Sequence, residues 1–212
     1  MDINQSWRTY QNFRLDMRRR YKSVWRIPLQ RRAVDVIGRH AADGMSCLDV
    51  GGSERSWQGM RERLPDLQVK TLNIDPEDRC DYRSLDDVDQ AFDLVLMIEM
   101  IEHVPLEQGL DMLRKIRPLL KPNGKLVVTT PNLFHPNRFW DATHITPYRY
   151  DELGAALLAT GYDVVELWRL HNEATLPRWF RRAVGVWLHR YLGVDFALSI
   201  AAVGSPAGAD RE

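Results

Sequence analysis

"FDLVLMIEMIEHV", residues 92–104, decides how the rest of the chain folds. Its first seven residues form a nearly continuous apolar run. A strand that is apolar on both faces belongs in a sheet covered on both sides. The next six residues place Glu99, Glu102 and His103 within five positions of one another. Charge at the end of a buried strand is costly unless something organises it. The stretch therefore predicts a parallel sheet and, at the carboxyl end of one strand, a site or a packed strand end.

The flanking sequence carries the same pattern. "SCLDV" (46–50) is a short apolar strand closed by "GGS", and "QVKTLNI" (68–74) is a second strand ending at Asp75-Pro76. "LEQGLDMLRKIRPLL" (106–120) has helical spacing and stops at "KPNG", after which "KLVVTTP" (125–131) is a strand capped by proline. "RYDELGAALLATG" (149–161) is a helix with glycine just past its end. "YDVVELWRL" (162–170) and "FALSIAAVGS" (196–205) read as two last strands, and residues 5–24 and 29–42 as helices interrupted around Pro28. Strands alternating with helices predict a mostly parallel α/β sheet with helices on both faces, the final pair adding an antiparallel edge. In such sheets ligands bind beyond the carboxyl ends of the strands. "DVGGS", "NIDPED" and "IEMIEHV" all fall there, so three distant pieces of sequence can build one pocket.

Composition sets the outer limits. The chain has 212 residues, 44% of them hydrophobic and 27% charged, the balance of a globular protein with a substantial core. No apolar run approaches the roughly 20 residues of a membrane-spanning helix. The N-terminus "MDINQSWRTY" lacks the apolar segment of a secretory signal. With Cys47 and Cys80 as the only cysteines, reduced thiols and a cytoplasmic location are expected. Net charge is zero but unevenly spread: residues 1–40 hold ten Lys or Arg against three Asp. "LPRWFRRAVGVWLHRYL" (176–192) has four Arg and no acid. The global balance argues against a dedicated nucleic-acid binder, while the local basic faces leave anionic partners open. Residues 176–192 form a basic amphipathic helix suited to peripheral membrane contact, to packing on their own domain or to a twin subunit. Monomer and homodimer both fit.

"LDVGGSE" supplies Asp49 at a strand end and a glycine turn, Gly51-Gly52-Ser53, before a helix whose N-terminus offers unpaired N–H groups. Asp75, at the next strand end, stands where a carboxylate accepts hydrogen bonds from ribose hydroxyls. Asp81, with Tyr82 beside it, could accept from an adenine amino group. The dinucleotide fingerprint G-x-G-x-x-G is not met by Gly51 to Ser56, which disfavours NAD.

Over residues 45–203, "CLDVGGS", "LNIDPED", "CDY", "FDLVLMIEMIEHV" and "LLKPNGKLVVTTPN" together resemble the class I S-adenosylmethionine-dependent methyltransferases. The resemblance implies a Rossmann-like, doubly wound seven-stranded sheet over residues 45–212, with an N-terminal helical lid over 1–44 to which Tyr10, Phe13 and Tyr21 would contribute. It places Gly51 at the methionine part of the cofactor, Asp75 at the ribose and Asp81 with Tyr82 at the adenine. Ser53 stands where the family usually has a further glycine. By the same resemblance Glu99, at the end of the family's fourth strand, would face both the sulfonium and the acceptor.

"IEMIEHV" further resembles the E-x-x-E-H pattern of ubiquinone-biosynthesis O-methyltransferases and small-RNA 2′-O-methyltransferases. In the latter a second histidine completes a divalent metal site, and His144, before "ITPYRYDEL", stands where that histidine would; His135 is the other candidate. The resemblance implies Glu99, Glu102, His103 and His144 as ligands of Mg²⁺ or Mn²⁺, which would hold and acidify an acceptor hydroxyl. Without metal, His103 or His144 would be the general base. Packing at a strand end is the third reading. Phe139 and Trp140 offer a flat wall for an acceptor, which could be a catechol, a sugar diol or a lipid-like quinol precursor. A small-molecule O-methyltransferase is the favoured reading; an RNA 2′-O-methyltransferase and a non-catalytic cofactor-binding protein are the alternatives.

Overall fold

The computed structural model of the chain describes residues 3–64, 66–137, 141–171 and 181–208. Among these, seven strands form one sheet: β1 (Leu29–Gln30), β2 (Ser46–Val50), β3 (Gln68–Leu72), β4 (Phe92–Ile98), β5 (Leu120–Pro131), β6 (Tyr162–Leu170) and β7 (Ser199–Pro206). Their order across the sheet is β1-β6-β7-β5-β4-β2-β3. Every neighbouring pair is parallel except the two that β7 makes, with β5 and β6. The expected mostly parallel, Rossmann-like α/β architecture is therefore present. Its antiparallel strand lies inside the sheet, because the parallel strand β1 and β6 sit outboard of β7.

Strand β4 shows why the opening run is apolar throughout. Val95 and Met97 enter the core on one face of the sheet, while Leu94 and Leu96 enter the core on the other. The first face is covered by α1 (Ile3–Tyr21), α4 (Leu106–Ile116) and α5 (Tyr150–Ala159). The second is covered by α2 (Ala33–Ile37) and α3 (Glu54–Arg61), which contribute Val36, Ile37 and Trp57. A last helix, α6 (Val186–Leu192), continues from a wider helical turn at Arg181–Gly185 and precedes β7.

Two local expectations are corrected. Residues 29–42 are not one helix: Leu29–Gln30 pairs with Arg169–Leu170, and α2 covers five residues. The exposed edge of β6 supplies the reason, since Arg169 N–H donates to Pro28 O (2.9 Å) and His171 N–H to Gln30 O (3.1 Å). Helix α4 ends at Ile116 and tightens into a 3₁₀ turn, Arg117–Leu119, because Pro118 has no N–H to continue the ladder.

The N-terminal helix α1 is docked on α5. Tyr10 donates its hydroxyl to Glu152 O (3.2 Å), Arg18 reaches Asp151 (2.8 Å), and Met17 is 1% exposed. The end of β5 is anchored by a buried network: Asn132 Nδ2 donates to Asp195 Oδ2 and Ala197 O, both at 3.0 Å, and Arg169 Nη1 to Asp195 Oδ1 (3.0 Å). From Asn132 departs the loop that completes the site. No described helix is long and apolar enough to cross a membrane.

Candidate active site

A cavity of about 740 Å³ opens at the carboxyl ends of β2, β3 and β4. Gly51, Asn73, Ile74, Glu99, Met100 and His103 are among the residues that line it. The three sequence segments expected at strand ends thus meet around one space, of the size that small-molecule sites occupy.

The glycine turn is shaped by two close approaches. Gly51 has a φ of +83°, and a Cβ there would stand 2.8 Å from Met100 Cγ, so the side chain that follows Glu99 packs directly on the turn. A Cβ on Gly52 would overlap the Asp49 carboxylate beneath it. Asp49 is 3% exposed, and burial pushes its pKa up to about 7. Asp49, Gly52 and Ser53 are buried under the turn, with Ser53 O accepting the Trp57 N–H that starts α3. Gly51 alone of this group faces the cavity.

Asp75 follows the lining residues Asn73 and Ile74 without itself lining the cavity; it is exposed, with Oδ1 accepting from Glu77 N–H (2.9 Å). Its loop is pinned by Arg83, which donates to the carbonyls of Asn73, Asp75 and Asp78. Asp81 is placed elsewhere. Its Oδ2 accepts from Thr71 N–H (2.8 Å) and Oγ1 (3.3 Å), and it lines a smaller cavity of about 340 Å³ on the α3 side of the sheet. Tyr82 donates its hydroxyl to Asp89 (3.1 Å), with Lys70 over its ring.

Glu99 carries a φ of +48°, an outlier for a residue with a Cβ. Its N–H is shared between Thr129 O and Thr129 Oγ1, both at 3.1 Å, which holds the strained turn in place. Burial raises its carboxyl pKa, against which the nearby Thr129 and Ser199 hydroxyls act. Backbone strain of this kind clusters at functional sites.

Beyond Glu99 the chain turns through a 3₁₀ segment, Ile101–His103, that buries Glu102 to 1% exposure. Glu102 O accepts the N–H groups of both Ile145 (2.8 Å) and Thr146 (3.0 Å), and Thr146 Oγ1 donates to Val104 O (2.6 Å). These bonds fasten the loop after β5 to the turn after β4 and carry His144 into place. One ligand atom from each of Glu102, His103 and His144 then lies within 4.8 Å of the others, and Glu99 stands outside this group. Both Glu102 carboxylate oxygens are buried without a hydrogen-bond partner among the described residues. The Thr130 hydroxyl is near but not in bonding geometry. Burial, and then the Glu99 charge, push the Glu102 pKa up to about 8.

The site includes two residues that sequence reasoning missed. Thr143 Oγ1 donates to Asp141 Oδ1 (2.7 Å) and lies 3.0 Å from His103 Nδ1. The Asp141 carboxyl is held below its ordinary range, chiefly by the Thr143 hydroxyl and N–H, and so remains an acceptor. The single hydroxyl proton is committed to Asp141, so Thr143 accepts from His103 Nδ1–H. That fixes the tautomer and leaves Nε2, 4.0 Å from Glu102 Oε1, with a free lone pair. The D-x-T spacing of "DATH" is the signal that could have revealed this turn. His135 is occupied in its own turn, where Nδ1 accepts from Asn137 N–H (3.2 Å). Phe139 and Trp140 lie outside the described residues, as do residues 176–180 of the basic stretch. None of the described residues before Met45 lines the cavity.

Comparison with known proteins agrees with this architecture. Residues 17–167 match a family model described as a methyltransferase domain. A SAM-dependent methyltransferase from Archaeoglobus fulgidus superposes with a TM-score of 0.61 at 14% identity, covering 80% of this chain and 89% of that one. A putative methyltransferase from Haloferax volcanii, solved with the Trm112 methyltransferase activator, gives 0.57 at 16% identity, covering 96% and 97%. The calicheamicin-biosynthesis methyltransferase CalO1, in its SAH-bound form, gives 0.54 at 14% identity, covering 81% of this chain and 52% of that one. At these identities the likeness is one of fold. No curated protein matches the chain by sequence.

Proposed function

The chain belongs to the methyltransferase-domain family, and from that premise we propose that it moves a methyl group from S-adenosylmethionine to a hydroxyl of a small-molecule acceptor, with a divalent cation on the acceptor side. Family membership supplies the methyltransferase.

One observation carries it: a buried carboxylate, Glu102, with both oxygens lacking hydrogen bonds, set against two imidazoles. A buried carboxylate left this way is strongly unfavourable unless it is protonated or meets a cation. Carboxylate and imidazole donors suit Mg²⁺ or Mn²⁺, the imidazoles favouring the softer Mn²⁺. The residues present therefore fit such an ion, held by Glu102, His103 and His144. When bound, the ion would hold an acceptor hydroxyl and lower its pKa.

The remaining work belongs to the protein. Gly51 and the Met100 side chain packed on it shape the cavity where the methionine part of the cofactor would lie. The Asp75 loop, braced by Arg83, presents a carboxylate to the ribose side. Thr143 and Asp141 fix the His103 ring so that Nε2 faces inward. Since an in-line transfer needs chiefly alignment of the reacting atoms, holding these groups rigidly is the main contribution of the fold.

The test incubates the protein with S-adenosylmethionine, Mn²⁺ and a panel of vicinal diols: a catechol, a sugar diol and a quinol precursor. Mass spectrometry should find one methyl group on oxygen in at least one class, and none on the same acceptor with its diol blocked. Methylation at nitrogen or carbon, with no oxygen product, would overturn the reading.

A further inference from the structure

Helix α6 presents most of its large apolar side chains to solvent. Its inward contact is made by His189, whose ring stands edge-on to both Trp25 (6.2 Å) and Phe134 (4.8 Å). Trp187, Tyr191 and Leu192 are instead 57%, 62% and 65% exposed. Trp187 and Tyr191 lie one turn apart with ring centroids at 5.0 Å, so they form one aromatic surface. Packing among the described residues gives no reason for that surface, and contiguous exposed apolar area marks an interaction site.

Beside it opens a cleft of about 410 Å³ between the end of α1, the start of α5 and α6. Arg18, Lys22, Arg149 and Arg190 line it, and Asp151 is the only acid among the lining residues. Asp151 is shared by Arg14 (3.4 Å), Arg18 (2.8 Å) and Arg149 (3.1 Å), while Glu152 takes up Arg14 (2.9 Å) and Arg149 (3.7 Å). Three guanidiniums thus face two carboxylates. Lys22 and Arg190 have no carboxylate partner among the described residues, and Arg190 lies over the Tyr191 ring instead. The cleft is basic, and the aromatic surface begins at its edge.

We infer that this face docks on a bilayer containing anionic phospholipid, with phosphate headgroups at the cleft and Trp187, Tyr191 and Leu192 in the interfacial layer. Tryptophan and tyrosine favour the membrane–water boundary, and lysine and arginine are drawn to anionic lipid. Charge chooses lipid over a second copy of the chain. A two-fold contact would set this surface against itself, bringing Lys22 and Arg190, which have no carboxylate partner among the described residues, against their own copies. The cleft also touches the candidate site through one loop: Phe134 and Arg149 bound the segment that delivers His144. The inference does not depend on the acceptor or on the cation.

The full chain is sedimented with vesicles of phosphatidylcholine alone and with about 30% phosphatidylglycerol added, at low and high salt. Binding to the anionic vesicles only, reduced by salt, is expected. Trp187→Ser with Tyr191→Ser, and separately Lys22→Glu with Arg190→Glu, should each lower the bound fraction about tenfold while thermal unfolding and S-adenosylmethionine binding stay unchanged. Equal binding to neutral vesicles, or none to either, overturns the inference. So does a dimer in sedimentation velocity that the Trp187/Tyr191 variant dissolves, since the occupant would then be a second copy. Calorimetric binding of inorganic phosphate without vesicle binding overturns it as well, leaving a pocket for a soluble anion.

Discussion

The imidazoles of His103 and His144 meet edge to face with ring centroids 4.8 Å apart, although the two residues lie in loops that follow different strands. What brings them together is the Glu102 carbonyl, which accepts two N–H groups from the residues just after His144. The backbone of one candidate ligand therefore positions another. Loss of register in either loop would dismantle the cluster without altering any of its side chains.

Orientation of His103 rests on Thr143 and Asp141. Thr143→Ala and Asp141→Asn should lower kcat about 10- to 100-fold, the usual effect of losing such an orienting partner. S-adenosylmethionine affinity should hardly move, and Thr143→Ser should restore most of the rate. Steady-state kinetics beside calorimetry measures both. A loss confined to cofactor affinity would contradict the assignment.

Asp75 and Asp81 should separate cleanly. Asp75 is exposed just past the lining residues Asn73 and Ile74, with its carboxylate only partly engaged, so Asp75→Ala should weaken S-adenosylmethionine binding by about 1–3 kcal/mol. Asp81 is bonded to Thr71 on the other side of the sheet, so Asp81→Ala should lower unfolding stability by a similar amount, about 1–3 kcal/mol, with little change in affinity. Titration calorimetry and denaturant unfolding on both variants would check this. A larger affinity loss for Asp81→Ala is the contrary outcome.

The buried Asp49 carboxyl gives the protein a pH dependence of defined sign. Its pKa rises from 3.8 to about 7 on folding, so between those values the native state holds a proton that the unfolded chain releases. Stability should fall as pH climbs through that window and level off above it, at a rate of up to about 1.4 kcal/mol per pH unit from this group. Asp49→Asn removes this contribution and should lessen the slope, leaving the part of the same sign that the buried Glu99 and Glu102 supply. Thermal unfolding across the window tests it; parallel curves for the two proteins would count against it.

The turn Gly51-Gly52 should tolerate no side chain. Gly52→Ala forces a methyl into the Asp49 carboxylate, and Gly51→Ala adds a contact with Met100 to a left-handed backbone. Each should cost about 1–3 kcal/mol of stability, and Gly51→Ala should also weaken the cofactor because it alters the cavity wall. Denaturation midpoints and calorimetry read both effects.

Much of this was legible in the chain, for identifiable reasons. The run from Phe92 to Ile98 announced a doubly covered strand because its alternate residues feed both cores. The edge strand Leu29–Gln30 was hidden: two residues carry no period, and their strand character comes only from the open edge of β6. Glu102 and His103 could be gathered from their spacing and His144 from the family resemblance, but the detachment of Glu99 from that cluster depends on its left-handed turn, which no composition signals in a glutamate. The turned-away carboxylate of Asp81 follows from a bond to Thr71, ten residues earlier and on a neighbouring strand, which local sequence does not encode.

The most direct test of the account titrates S-adenosylmethionine into the protein with excess chelator and again with Mn²⁺, while methyl transfer to a diol acceptor is followed in parallel. Glu102, His103 and His144 are assigned to the acceptor, so cofactor affinity should be nearly the same in both titrations. Turnover should vanish with chelator and return with Mn²⁺ or Mg²⁺. Glu102→Gln should stay inactive whatever metal is added. Full turnover in excess chelator would contradict the cation reading and leave His103, held by Thr143, as the base to examine.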